Sequence, residues 1–220
     1  MDYLKSILSL IGTSTLQTLI MVILSTIFAL IIGFPLGVLL NTTNKFGITP
    51  KPVLNSVLSR IIDIFRSFPF VILMIVLLPL TRGILGTAIG TGAAIIPLSV
   101  AAAPFVARIT ETALNEVDNG VVQAARAMGS TNWQIIYKVL IPEALPSVIS
   151  GITLTIINLI GYSAMAGTLG GGGLGDLAIR YGYQRFRTDI MFFAVIVIII
   201  MVALIQFAGT RISNKMMSKR

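Results

Sequence analysis

The chain has 220 residues, of which 55% are hydrophobic and 11% charged, with a formal net charge of +8 and a mean hydropathy of +0.95. A water-soluble domain carries about 25% charged residues, so this composition excludes a soluble globular protein and fits a bilayer. The lack of His and Cys removes disulfides, thiol chemistry and the usual imidazole or thiolate metal sites. The 16 Lys and Arg are scattered rather than gathered into a nucleic-acid-binding stripe.

A spanning helix needs about 20 mostly apolar residues, and five segments qualify. Residues 1–14 precede them as an extracytoplasmic or interfacial segment. The first span, Thr15–Leu40, lacks a basic n-region and an A-x-A cleavage site, so it is expected to stay in the membrane. It ends in Gly33-Phe-Pro-Leu-Gly37, a small-xxx-small pair around Pro35 that favours close helix contact and a bend. The second, Val53–Leu80, carries Asn55, Ser59, Arg60, Asp63 and Arg66 in its first half, which reads as interfacial or protein-packed. Arg60 and Asp63 have the spacing of an intrahelical pair. The third, fourth and fifth spans are Ala88–Ala107, Leu145–Ala166 and Ile190–Thr210.

The basic residues set the orientation. With the N-terminus outside, Lys45, Lys51, Arg60, Arg66, Arg108, Arg126, Lys138, Arg211, Lys215, Lys219 and Arg220 fall inside. Lys5, Arg82, Arg180, Arg185 and Arg187 fall outside, leaving eleven of 16 on the cytoplasmic side. Five is an odd number, which excludes two inverted halves. A central pathway then comes most simply from two copies about an axis along the membrane normal.

Between the third and fourth spans lies a polar elbow, residues 118–142. Asp118 and Asn119 can cap a short helix, and Gly129 suits its left-handed end. Thr131 then reads as a new N-cap, with Gln134 completing a capping box. Pro142 and Pro146 bound the helix that follows. A pre-folded polar elbow on a membrane protein implies a partner to press against.

The elbow string Gln123-Ala124-Ala125-Arg126-Ala127-Met128-Gly129, followed after nine residues by Val139-Leu140-Ile141-Pro142, resembles the cytoplasmic EAA loop of ABC-type importer permeases. Its spacing is kept. Gln123 replaces Glu, which loses a charge, and Val139 and Ile141 are apolar exchanges. The resemblance implies an ATPase-coupling surface at Gln123, Ala124, Ala125, Arg126, Met128, Gly129 and Thr131, with the two alanines letting the helix lie close in a groove of the ATPase subunit. Arg66-Ser67-Phe68-Pro69 is similar to the R-[GS]-x-P segment of amino-acid importer permeases. Pro69 there breaks the helix, and Arg66 can bond the freed carbonyls.

The run Gly161 to Gly175, continuing to Tyr183, together with Ala102–Arg108 and Ile205–Arg211, resembles the permeases of methionine importers over residues 15–211. The formal G-x-G-x-x-G in the run has no preceding strand or βαβ unit, so it is no dinucleotide site. It reads instead as a flexible outer loop that bends with an external gate or meets a docking protein. No Walker A loop is present. Within the fourth span, Asn158 and Tyr162 share a face and can line a substrate pathway with Ser163 and Met165. Interhelical hydrogen bonding is an equal reading of the same residues.

The resemblance implies an all-α polytopic membrane protein of the type I ABC importer permease fold. It would have five transmembrane helices, a coupling helix between the third and fourth, and a domain over 15–211 with a basic tail at 212–220. It further implies a functional homodimer in the bacterial cytoplasmic membrane and cytoplasmic ABC ATPase subunits that bind ATP-Mg. An extracytoplasmic methionine-binding protein would deliver substrate for alternating access. No cofactor in this chain, no catalytic residue, no metal site and no nucleic-acid partner are expected. Alternatives are a permease for another amino acid or small polar solute, and an ATP-independent channel or carrier. An intramembrane enzyme is disfavoured because no paired His, Asp or Ser/Lys set lies in the spans.

Overall fold

The computed structural model describes the backbone of residues 2–218 and the side chains of residues 7–218. Lys219 and Arg220 of the basic tail, and the Lys5 side chain, lie outside what is described. Every regular element among the described residues is helical. Four helices or continuous helical runs are long and apolar enough to cross a membrane, and a bent helix pair supplies a fifth.

Helix α1 (Asp2–Thr43) has 42 residues and takes in the 1–14 segment without a break. At 1.5 Å per residue it is about 60 Å long, twice a hydrocarbon core of about 30 Å. It must therefore tilt or protrude. Its Gly33 and Gly37 lie against the Ala103 and Ala107 carbonyls of α4 (Thr91–Asn115), where a Cβ would run into Val106 and Thr110 as well. The small-xxx-small pair is thus spent inside the subunit.

The expected second span, Val53–Leu80, is two helices. Helix α2 (Pro52–Ser67) and α3 (Phe70–Leu85) meet at 103° across Phe68 and Pro69. Pro69 has no N–H to give to α2, and Phe68 before it is extended. The third span begins at Thr91 rather than Ala88, because Gly86 and Gly90 hold left-handed turns, and it continues to Asn115. Helix α4 is the centre of the subunit, with 61% of its apolar stretch buried.

The elbow holds α5 (Asn119–Ala127) and α6 (Asn132–Ile135). A π turn, Ile136–Leu140, joins α6 to α7 (Ile141–Thr168). After a glycine turn come α8 (Gly173–Asp176), a second π segment at Leu177–Tyr183, and α9 (Thr188–Met217), which passes the expected end at Thr210. Helix α9 is peripheral, with 17% of its apolar stretch buried.

The contacts sort the connections into two ends. At one end the Arg126 guanidinium reaches the Ile48 carbonyl, and Ser213 of α9 donates to Pro146 O. At the other, Gly90 N donates to Gly170 O, and Gly173 N to Gln17 Oε1. The 44–51 turn, the elbow and the end of α9 therefore share one side.

Candidate functional site

The elbow is built by local rules. Asp118 accepts from Gly120 N at 2.8 Å and caps α5. Ser130 N donates to Ala125 O at 3.1 Å and Gly129 N to Arg126 O at 2.9 Å, with Gly129 at φ +80°. This pair of bonds is a Schellman motif, which needs a left-handed residue at its turn. Thr131 and Gln134 form the reciprocal capping box, Thr131 N to Gln134 Oε1 at 2.9 Å and Gln134 N to Thr131 Oγ1 at 3.3 Å.

The two alanines lie on different sides of α5, one exposed and one buried, which corrects the expectation that both enter a partner's groove. Ala125 is buried with Ala113, Leu114, Ile135 and Leu140, so it seats α5 on its own subunit. Ala124 and Gln123 are exposed. Around them the elbow exposes Met128 (78%), Trp133 (73%) and Tyr137 (65%) on a side that carries polar loops. Large apolar groups facing water cost roughly 1.5–3 kcal/mol each relative to burial, so this surface favours a cover. Arg126 and Thr131 are also exposed, and Arg126 leans on the 44–51 turn.

At the helix break, Arg66 does not bond freed carbonyls. It lies 3.6 Å from Asp63 and 5.2 Å over the Phe105 ring. Asp63 pairs with Arg108 at 2.8 Å rather than with Arg60. Arg108 also holds Glu111 at 2.6 Å and the Ser59 hydroxyl. One guanidinium thus pins the polar face of α2 to α4, matching its planar fork to several acceptors. In the sequence Arg108 stood out as a topology charge and as the end of the Ala102–Arg108 segment, with no pairing role. Glu111 lies three residues on, a spacing that helix geometry could have revealed, but Asp63 and Ser59 lie 45 and 49 residues away, beyond any local spacing.

Of the pathway candidates, Asn158 and Met165 lie on an exposed stripe of α7 with Leu154 and Gly161. Tyr162 stacks on Phe70 of α3, with centroids 4.7 Å apart and planes 6° from parallel. Ser163 is buried and donates to Ile160 O within its own helix. The four residues therefore do not form one lining, and only Asn158 and Met165 share the open face. A polar amide on an exposed face amid an apolar helix marks a protein or water contact rather than lipid.

The glycine run is packed, not loose, which overturns the flexible-loop expectation. Gly173 N and Leu174 N donate to Gln17 Oε1 and Thr18 Oγ1 of α1, both at 2.9 Å. A Cβ on Gly167 would strike the Asp176 backbone, and one on Gly175 the Ala164 backbone. These glycines permit close approach of chains. The sequence showed that α1 carries a polar face, with Ser14, Gln17, Thr18 and Ser25 at helical spacing in an apolar run, but not what that face meets. Among the described residues, no group of three or more His, Cys, Asp or Glu could hold a metal.

Residues 33–217 match the family model described as binding-protein-dependent transport system inner membrane component. The chain is 51% identical over 206 residues to the probable D-methionine transport system permease protein MetI of Pasteurella multocida (strain Pm70), covering 94% of this chain and 95% of that protein. It is 48% identical over 176 residues to the methionine import system permease protein MetP of Bacillus subtilis (strain 168), covering 80% and 79%. Among solved structures, a chain of the MetNI methionine ABC transporter in an inward-facing conformation (CY5 native crystal form) matches with a TM-score of 0.93 and 46% identity, over 95% of this chain and 97% of that one. With the family match reaching from Gly33, in the last third of α1, to Met217 at the end of α9, the chain belongs to the family of binding-protein-dependent transport system inner membrane components.

Proposed function

We propose that this chain is the permease subunit of an ATP-driven methionine importer in the bacterial inner membrane. Two copies enclose the pathway, and cytoplasmic ATPase subunits dock under the elbow. An extracytoplasmic binding protein delivers substrate to the far side. ATP-Mg is bound and hydrolysed by the partner, and this chain contributes no covalent step. The transport unit spans residues 15–211, with the elbow at 118–142 and a basic tail from 212.

The observation that carries this reading is the uncovered apolar face of a fully capped elbow: Met128, Trp133 and Tyr137 around Gln123 and Ala124. In the coupling role, Ala125 seats the helix, Gly129 and Thr131 fix its turn, and Gln123, Ala124, Arg126 and Met128 meet the ATPase. Motion of the ATPase pair would move α5, and α7 would carry that motion through the π turn to the Asn158–Met165 stripe. Arg66 and Pro69 would hold the bend that lets α3 follow α4. Binding of nucleotide and of loaded binding protein would shift the balance between two arrangements of the same bundle.

The substrate follows from the methionine-system relatives, which agree in substrate class across identities of 48–51%. The test is uptake of labelled methionine into proteoliposomes holding the permease with its ATPase and binding protein. Uptake should require ATP and be competed best by methionine. Uptake without the ATPase would make the chain a passive carrier, and stronger competition by another amino acid would reassign the substrate.

A further inference from the structure

Between the turn after α1 and helix α5 lies a cleft of about 580 Å³ that shares Gln123 and Arg126 with the proposed ATPase-facing side of α5 but is otherwise built from residues given no role in transport. Asn44, Lys45, Asn115, Asn119, Gln123 and Arg126 contribute to its walls, and no carboxylate does. Glu116 and Asp118 line a separate cleft with Glu143. Asn115 already accepts from Asn41 Nδ2 at 2.7 Å, which leaves its own amide nitrogen free to donate. The cleft therefore offers two cations and several amide donors without a counter-charge, which is the chemistry of an anion site.

Helix α2 sets its depth. The helix turns away from α3 by 103°, a little more than a right angle, at Phe68 and Pro69. Val53, Val57, Ile61, Ile64 and Phe68 recur every three or four residues and form one exposed apolar stripe. Asn55, Ser59, Asp63 and Arg66 fall on the opposite side, where Arg108 ties it down. An amphipathic helix with this division rests in the interface, its apolar half toward the acyl chains. Lys45, Phe46, Gly47 and Ile48 line the cleft shortly before α2 begins at Pro52, so the amphipathic helix holds the cleft beside the interface. Phe46, 90% exposed beside Lys45, is a further interfacial anchor.

We propose that this cleft and α2 together form a site for an anionic phospholipid of the cytoplasmic leaflet. The phosphodiester sits between Lys45 and Arg126, and the acyl chains lie along the Val53–Ile64 stripe. Because Arg126 belongs to α5, the bound headgroup would brace the elbow against the membrane surface, giving transport a dependence on lipid charge.

The experiment uses the permease assembled with its ATPase subunits. It is reconstituted in nanodiscs of phosphatidylethanolamine and phosphatidylcholine, with and without phosphatidylglycerol. Retained lipid is read by native mass spectrometry, alongside the ATPase rate. Wild type should retain phosphatidylglycerol selectively, and Lys45→Gln should weaken that retention by roughly fivefold, the worth of one cation near a lipid surface. Equal retention of both lipid charges, or unchanged retention in Lys45→Gln, would overturn the proposal. So would inorganic phosphate displacing no lipid while binding the cleft itself. A Val57→Cys variant that cross-links to its own copy would assign the stripe to the second subunit instead and also overturn it.

Discussion

Gly129 is where the elbow can be perturbed with the fewest side effects. It closes α5 at φ +80°, and a Cβ placed there meets nothing within 4 Å. Substitution therefore adds backbone strain and no collision. An L side chain in that region costs roughly 1–2 kcal/mol, with Asn tolerated better than Ala and a β-branched residue worst. Such a cost raises the opened fraction of the Schellman turn by about 5- to 30-fold. The order of elbow stability should be Gly, Asn, Ala, Val. Hydrogen exchange over residues 119–130 reads the opening directly, while reconstituted ATPase and uptake rates read the coupling. The valine variant should insert normally, hydrolyse ATP and import poorly, because a frayed α5 passes less of the ATPase movement to α7. Uptake at the wild-type rate by Gly129→Val, with exchange visibly faster, would refute the idea that a rigid elbow transmits the stroke.

Cysteines at Asn132 and Tyr183 should label from opposite faces of the membrane; labelling from one face would overturn the two-ended arrangement. Arg108→Gln removes the ties to Asp63, Glu111 and the Ser59 hydroxyl, and these groups are partly exposed, so the loss should be about 1–2 kcal/mol. It should appear as a lower apparent Tm in detergent, with Arg108→Lys recovering part of it. Gly175→Ala drives a methyl into the Ala164 backbone and should cost about 1–3 kcal/mol, seen as reduced yield of folded protein, whereas Gly161→Ala, with open space around it, should express normally. Deleting Val139 should be tolerated for insertion, since a π turn already carries one residue beyond the α-helical register. Deleting Ile152 turns the rest of α7 by about 100° and should abolish folded protein.

What the sequence disclosed was what obeys short-range rules. The caps at Asp118 and Thr131, the turn at Gly129 and the break at Pro69 each depend on one residue and its immediate neighbours, and the structure has each of them. Spans were visible as apolar runs, but their ends were not, because α1 and α9 extend helically well past the apolar stretch into flanks that hydropathy ignores. The 103° turn between α2 and α3 was read only as a break, since Pro69 states that hydrogen bonding stops and not where the chain then goes. Long-range pairings stayed hidden. Arg108 with Ser59 and Asp63, and Gln17 and Thr18 with the glycine turn, join residues 45 to 156 positions apart. The glycine run misled for a related reason. Glycine serves both loose hinges and tight contacts, and only the neighbouring backbone decides which.

Exposure itself changes meaning along this molecule. Ile199, Leu204 and Phe207 of α9 are open on a peripheral spanning helix, and lipid solvates them. Met128 and Trp133 are open on the polar elbow, where no lipid can. The same fractional exposure is neutral in one place and unfavourable in the other, because the hydrophobic effect acts only against water. Asn158 inverts the rule: its exposure is costly where an apolar neighbour's is free. The two anomalies, greasy groups in water and an amide on an open face of a membrane helix, lie on the continuous run from Asn132 to Thr168 or on the α5 turn packed against its start. At 37 residues that run is about 55 Å long, so a tilt of 10° shifts one end against the other by roughly 10 Å. A helix of that reach, uncovered at its water end and polar on its open membrane face, has the form of a lever that needs a partner at each point where its exposure is misplaced.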